Sequence, residues 1–173
     1  KFSLSHSEAR INANKNNARF ISMPDYTSDM LKKGAIDADF LKIYDTVQKT
    51  LDILNKAETI HVTTQAGTDV TLHTKGRIGN EVSGVCRTPG TWGSPPNIEV
   101  NISPLETLSN GRVVVDGSIP MPEIGLIKEN VVLEIKDGCI INFDGGSQAD
   151  KFKALLKGEE NSANLVLAEF GIG

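Results

Sequence analysis

A few acidic and imidazole side chains fall where their spacing could do chemistry. Glu169 is the sharpest case. It stands inside an otherwise apolar run, Leu165 to Ile172, and Gly171 would let backbone or a ligand come close. Burying a carboxylate is costly unless it is paired or bound to a metal. A functional role for Glu169 therefore stands beside the plainer alternative of a helix-end carboxylate reaching solvent. His61 and His73 fall opposite each other if the chain between them folds symmetrically about Gly67. Opposed strand residues have Cβ atoms about 5 Å apart, close enough for two imidazoles to share a metal. Thr63 and Thr71 are polar, so a solvated strand face is the competing reading. Glu58 and Asp69 flank the same segment as an acid–base pair or as ordinary surface charge.

Two further features have a chemical and a structural reading. Gly145-Gly146-Ser147 precedes a helix and could hold an anion at its N-terminus. It lacks the spacing of a dinucleotide loop and the lysine of a phosphate loop, so a simple turn is expected. Trp92, the sole tryptophan, lies in a Gly/Pro-rich stretch. It is either a contact for substrate or subunit, or a pin that holds the loop to the core.

These residues need elements to position them. Ser5 with Glu8 matches a capping box and predicts a helix over 6–17. A short strand over 18–23 follows, stopped by Pro24. Asp37 is the expected cap of the best helix, 38–55, where Phe40, Tyr44, Val47, Leu51 and Leu54 recur at spacings of three and four. After it the pattern is mostly strand. Segments 59–64 and 69–74 alternate apolar and polar residues around a four-residue loop. A long loop over 76–97 leads to strands at 98–102 and, after the Asn110-Gly111 turn, at 112–115. Asp137-Gly138 sits between 131–135 and 139–143 as the strongest hairpin signal. Ser147 with Asp150 predicts a helix to Lys157, and 162–170 a last helix. The expected class is α+β: the end of an α/β domain over 1–57, then a β-rich, hairpin-containing domain over 58–173.

Composition closes off several functions. Hydrophobic residues are 39% and charged residues 23%, which supports a packed core and excludes wholesale disorder. The net charge is -4 and no basic stripe occurs, which argues against nucleic acid as a partner. The longest apolar run, Leu165–Ala168, is far short of the ~20 residues of a membrane helix. Cys86 and Cys139 form no CxxC pair and read as reduced thiols of a cytoplasmic protein. A start at Lys1 without Met and an apolar finish at Gly173 read as ends internal to a longer chain.

Five stretches, in order, resemble the thermophilic metallo-aminopeptidase (aminopeptidase T) family and its leucyl aminopeptidase-like relatives. They are Ser5-His6-Ser7-Glu8-Ala9-Arg10; Ala18-Arg19-Phe20-Ile21-Ser22-Met23-Pro24; His61 through Asp69; Ser103-Pro104-Leu105-Glu106 on through Asn110-Gly111 to Ile119; and Leu167-Ala168-Glu169-Phe170-Gly171-Ile172-Gly173. The resemblance implies a dimeric hydrolase that releases N-terminal residues from peptides with two divalent metals, zinc or cobalt. It matches the first metal-binding glutamate to Glu169 and puts the other ligands past Gly173, so the chain alone is expected to be inactive. The resemblance extends to dihydroxypyridine ring-cleaving dioxygenases, which use one non-haem iron. A metal-free binding or assembly module is the third reading.

Overall fold

The computed structural model describes residues 4–24, 26–158 and 162–173. Helix α1 spans Glu8–Lys15. Its cap is Ser7, not Ser5: Ser7 has the extended backbone of a cap, and its hydroxyl accepts from Arg10 N at 3.2 Å. Strand β1 is Phe20–Ile21, and Ala35–Asp37 makes a 3-10 turn. Helix α2 follows over Phe40–Lys56. Asp39 caps it by accepting from Lys42 N at 3.1 Å, because Asp37 is taken up in the 3-10 turn.

The strands then run β2 Thr59–Thr63, β3 Asp69–His73, β4 Asn80–Val82, β5 Trp92–Gly93, β6 Glu99–Ile102, β7 Asn110–Val115, β8 Ser118–Ile119 and β9 Gly125–Leu126. The chain closes with β10 Val131–Lys136, β11 Cys139–Asp144, α3 Gly146–Lys157, a 3-10 turn Ser162–Leu165 and β12 Phe170–Ile172. The architecture is α+β, as the sequence leads one to expect. The stretch over 76–97 is not a bare loop, since it carries β4 and β5. The last helix expected over 162–170 is a 3-10 turn, a bridge from Val166 to Cys139, and the start of β12.

The chain forms two compact units. The first takes residues up to Asn55, Gly79–Asn101 and Gly171–Gly173. In it β1 runs parallel to β5, with Phe20 beside Trp92 and Ile21 beside Gly93. A second small sheet has the order β12-β6-β4. Most of the stripe on α2 packs as its spacing requires: Val47 and Leu54 are buried, and Phe40 and Leu51 lie against Gly84 and Gly79, while Tyr44 is exposed.

The second unit takes Lys56–Ile78 and Ile102–Phe170. Its antiparallel sheet has the order β11-β10-β7-β3-β2. One face buries Val131, Leu133 and Ile135 against Ala149 of α3, with Phe143 and Phe152 edge to face at 5.8 Å. Asn110-Gly111 is not a turn but the start of β7. Gly111 is needed there because a Cβ would overlap the Asp69 carbonyl on β3. The Asp137-Gly138 hairpin forms as expected, with a bulge between Glu134 and Ile135. Helix α3 is not capped by Ser147. It starts at Gly146 with Gly145 in the cap position, both at positive φ.

Candidate functional site

Glu169 is exposed, on the segment between the Val166 bridge and β12. The burial expected from its apolar neighbours does not occur, because that run does not form a helix packed on a core. The backbone around it is well held. Leu167 N donates to Gly138 O at 2.8 Å, and Val166 bridges to Cys139. The hairpin tip is itself tied down. Gly138 N donates to Ser109 O at 2.8 Å, and Asp137 N donates to Asn110 Oδ1 at 3.0 Å.

His61 and His73 do not meet. His61 stands opposite Thr71, and His73 opposite Thr59. The partner of His61 is Asp69, with Nε2 2.8 Å from Oδ1. Glu58 pairs with Lys75 at 3.1 Å rather than with Asp69. Neither the expected Glu58–Asp69 pair nor the two-histidine site therefore forms on this hairpin.

The start of α3 offers no anion cradle. The Glu129 carboxylate sits against Gly146. The adjoining cavity of about 220 Å³ balances Glu123 and Glu129 against Lys128 and Lys151.

Trp92 is half-buried and held by α1. The Arg10 guanidinium lies 5.1 Å over its ring, and His6 meets it edge to face at 6.4 Å. Arg10 is steadied by Ser5 O at 2.7 Å, and Asn14 Nδ2 donates to Thr91 O at 2.9 Å. Sequence reasoning weighed Trp92 alone and missed this cluster. Helical spacing could not have found it, because His6 precedes the Ser7 cap and lies outside α1.

Among the described residues no three His, Cys, Asp or Glu side chains converge. An iron centre calls for several such ligands, so the described residues do not by themselves fit one. Glu169 offers a single carboxylate.

The sequence pattern of the 2,5-dihydroxypyridine 5,6-dioxygenases matches residues 2–173. The chain belongs to the 2,5-dihydroxypyridine 5,6-dioxygenase family. It is 28% identical over 106 residues to the 2,5-dihydroxypyridine 5,6-dioxygenase of Pseudomonas putida, an alignment covering 61% of this chain and 30% of that protein. The solved 2,5-dihydroxypyridine dioxygenase of the same species superimposes with a TM-score of 0.82 at 22% identity, over 97% of this chain and 48% of that one. The chain thus spans about half the length of that relative. AmpT from Thermus thermophilus is a more distant neighbour, with a TM-score of 0.57 at 16% identity over 76% of this chain and 34% of that one.

Membership of the dioxygenase family corrects the aminopeptidase expectation. The metallopeptidase and hydrolase readings fall with it, and zinc or cobalt is left without support. The physical reason is where the matching stretches lie. They sit on α1, β1, the β2–β3 hairpin, β7–β8 and β12, which are scaffold elements. AmpT is similar in fold, and a shared scaffold does not fix chemistry. Among the described residues no helix is long and apolar enough to cross a membrane.

Proposed function

We propose that the protein takes part in the oxygen-dependent opening of a dihydroxylated pyridine ring, with iron as its metal and Glu169 as one iron ligand. The observation that carries this is the family match across residues 2–173. The fold similarity to the Pseudomonas putida dioxygenase supports it. Because the chain spans about half of that relative, the activity is proposed for the protein as a whole. A cytoplasmic location accords with two free, half-buried cysteines.

The test is oxygen uptake by the ferrous-loaded protein with 2,5-dihydroxypyridine, alongside iron content by elemental mass spectrometry. The expected result is uptake matched by loss of the substrate's ring absorbance. Glu169→Ala is expected to weaken iron binding by at least about tenfold. Iron held equally well by Glu169→Ala would remove Glu169 from the ligand set. An iron-loaded protein that consumes no oxygen with this substrate would sink the ring-opening reading.

A further inference from the structure

Asn or Asp is followed by Gly at four places: Asn110–Gly111, Asp116–Gly117, Asp137–Gly138 and Asp144–Gly145. Each pair carries a latent reaction of the chain with itself. The glycine nitrogen can attack the side-chain carbonyl carbon of the residue before it and close a cyclic succinimide. Glycine suits this step, because no Cβ shields its nitrogen. The rate then depends on how closely the fold holds the nitrogen to the group it attacks.

The fold treats the four pairs differently. Gly111 lies inside the sheet, in register with Val70 on β3 and Ile135 on β10. The Asn110 amide is engaged at both ends: Oδ1 accepts from Asp137 N and Nδ2 donates to Leu108 O, each at 3.0 Å. Gly138 N is taken by Ser109 O at 2.8 Å. Asp116 and Gly117 are both exposed, and a Cβ on Gly117 would meet nothing within 4 Å, so no packing holds that pair in one geometry. Asp144–Gly145 is the exception. Gly145 N lies 2.9 Å from Oδ1 of Asp144, so the carboxyl is folded back onto the nitrogen that would attack it. This brings the carboxyl carbon toward that nitrogen, as a near-attack geometry requires. The joint is fixed by its surroundings. Gly145 stands at φ +119 in the cap position of α3, and a Cβ there would overlap the Asn130 carbonyl. Asp144 itself is exposed to water.

We propose that Asp144–Gly145 is a self-modifying site, at which the folded chain converts Asp144 to isoaspartate through a succinimide. The bond from Gly145 N to Asp144 Cγ forms, the nitrogen gives up its proton, and the protonated carboxyl loses its hydroxyl as water. Water then opens the ring. Cleavage of the new N–Cγ bond restores aspartate. Cleavage between that nitrogen and the main-chain carbonyl carbon of Asp144 leaves isoaspartate, with the backbone running through Cβ and Cγ. Composition is unchanged, and water is the one co-reactant. The product lengthens the main chain by a carbon at the joint of β11 and α3. Helix α3 buries Ala149 beside Val131 and Leu133, so the change bears on the core of the second unit. This inference is independent of the ring-opening reading.

The test is prolonged warm incubation of the intact protein at mildly acidic pH in heavy-oxygen water, followed by digestion in ordinary water. Electron-transfer fragmentation of the peptides distinguishes isoaspartate from aspartate, and the heavy label marks each ring that opened. The expected result is at least about tenfold more isoaspartate at Asp144 than at Asp116 or Asp137. In guanidinium chloride that advantage should vanish, because the three Asp–Gly pairs then differ little. Asp144→Glu, shown to be folded by circular dichroism, should lose the main isoaspartate signal, since glutamate closes the larger ring far more slowly. The proposal is overturned if the folded parent forms no isoaspartate at Asp144, or no more than at Asp116 or Asp137. It is overturned equally by an advantage that persists after unfolding, or by an isoaspartate yield that Asp144→Glu leaves unchanged.

Discussion

His61 Nε2 lies 2.8 Å from Asp69 Oδ1, diagonally across the β2–β3 ladder and on the exposed face of the sheet. The two side chains are 57% and 70% exposed, so water screens their attraction. Asp69→Asn should change folding stability by less than about 1 kcal/mol. Urea unfolding of the two proteins side by side checks this. A larger loss would mean that the pair holds the hairpin turn.

Leu72, on the neighbouring strand, is 2% exposed. Leu72→Ala should cost about 3 kcal/mol, from lost transfer energy and the cavity left behind. Leu126 is 77% exposed, and Leu126→Ala should stay within about 0.5 kcal/mol. The gap between the two denaturation midpoints is the readout.

Gly138 has φ +74, and a Cβ there would overlap the Glu106 carbonyl. Gly138→Ala therefore combines left-handed strain with a backbone clash, and should cost about 3 kcal/mol or more. Thermal unfolding followed by circular dichroism measures it. An unchanged midpoint would show that the β10–β11 turn can be rebuilt cheaply.

Trp92 is the sole tryptophan, so its fluorescence reports the contact with α1 directly. Arg10→Ala removes the cation from over the ring. The emission should move to longer wavelength and quenching by acrylamide should rise. The stability loss should be about 1 kcal/mol. An unshifted spectrum would mean that Arg10 does not shield the ring in solution.

Glu106 carries an acid-dependent contribution. A backbone hydrogen bond at Glu106 itself, and then the Arg77 guanidinium at 2.5 Å, hold its carboxyl below the ordinary value. With the folded pKa depressed, the stabilisation is present above the unfolded carboxylate range. It is lost as pH falls through the folded value. Glu106→Gln should flatten that part of the stability-versus-pH curve on the acid side and leave the neutral limb parallel to the parent. Parallel curves down to the acid limb would show that Glu106 does not take part.

The hairpin at β2–β3 shows what was legible and what was not. Alternation of Ile60 and Val62 with His61 and Thr63 fixed the faces correctly. It left the rung open, because a slip of two residues keeps every side chain on its own face. The loop decided the rung. Thr64 N bonds Thr68 O and Gly67 N bonds Thr64 O, which centres the turn on Ala66 rather than Gly67. That slip moved His73 away from His61. The 3.6-residue stripe of α2 was legible for the same reason as the strand faces: period reports burial. Caps were legible only to within two residues, since Ser5, Ser7, Asp37 and Asp39 are equal as types and only backbone geometry chooses among them. Glu169 was judged from its apolar neighbours, a rule that holds inside helices and strands but not in the extended segment it occupies.

The carbonyl of Gly138 bonds Leu167 N, two residues ahead of Glu169. A hairpin tip about thirty residues upstream therefore works as the fulcrum from which this carboxylate is aimed. A change at the tip need not touch Glu169 to matter. A tilt of the β10–β11 turn is carried through that bond and the neighbouring Val166–Cys139 bridge to the segment that bears the carboxylate, so the aim of Glu169 depends on a glycine in a left-handed turn.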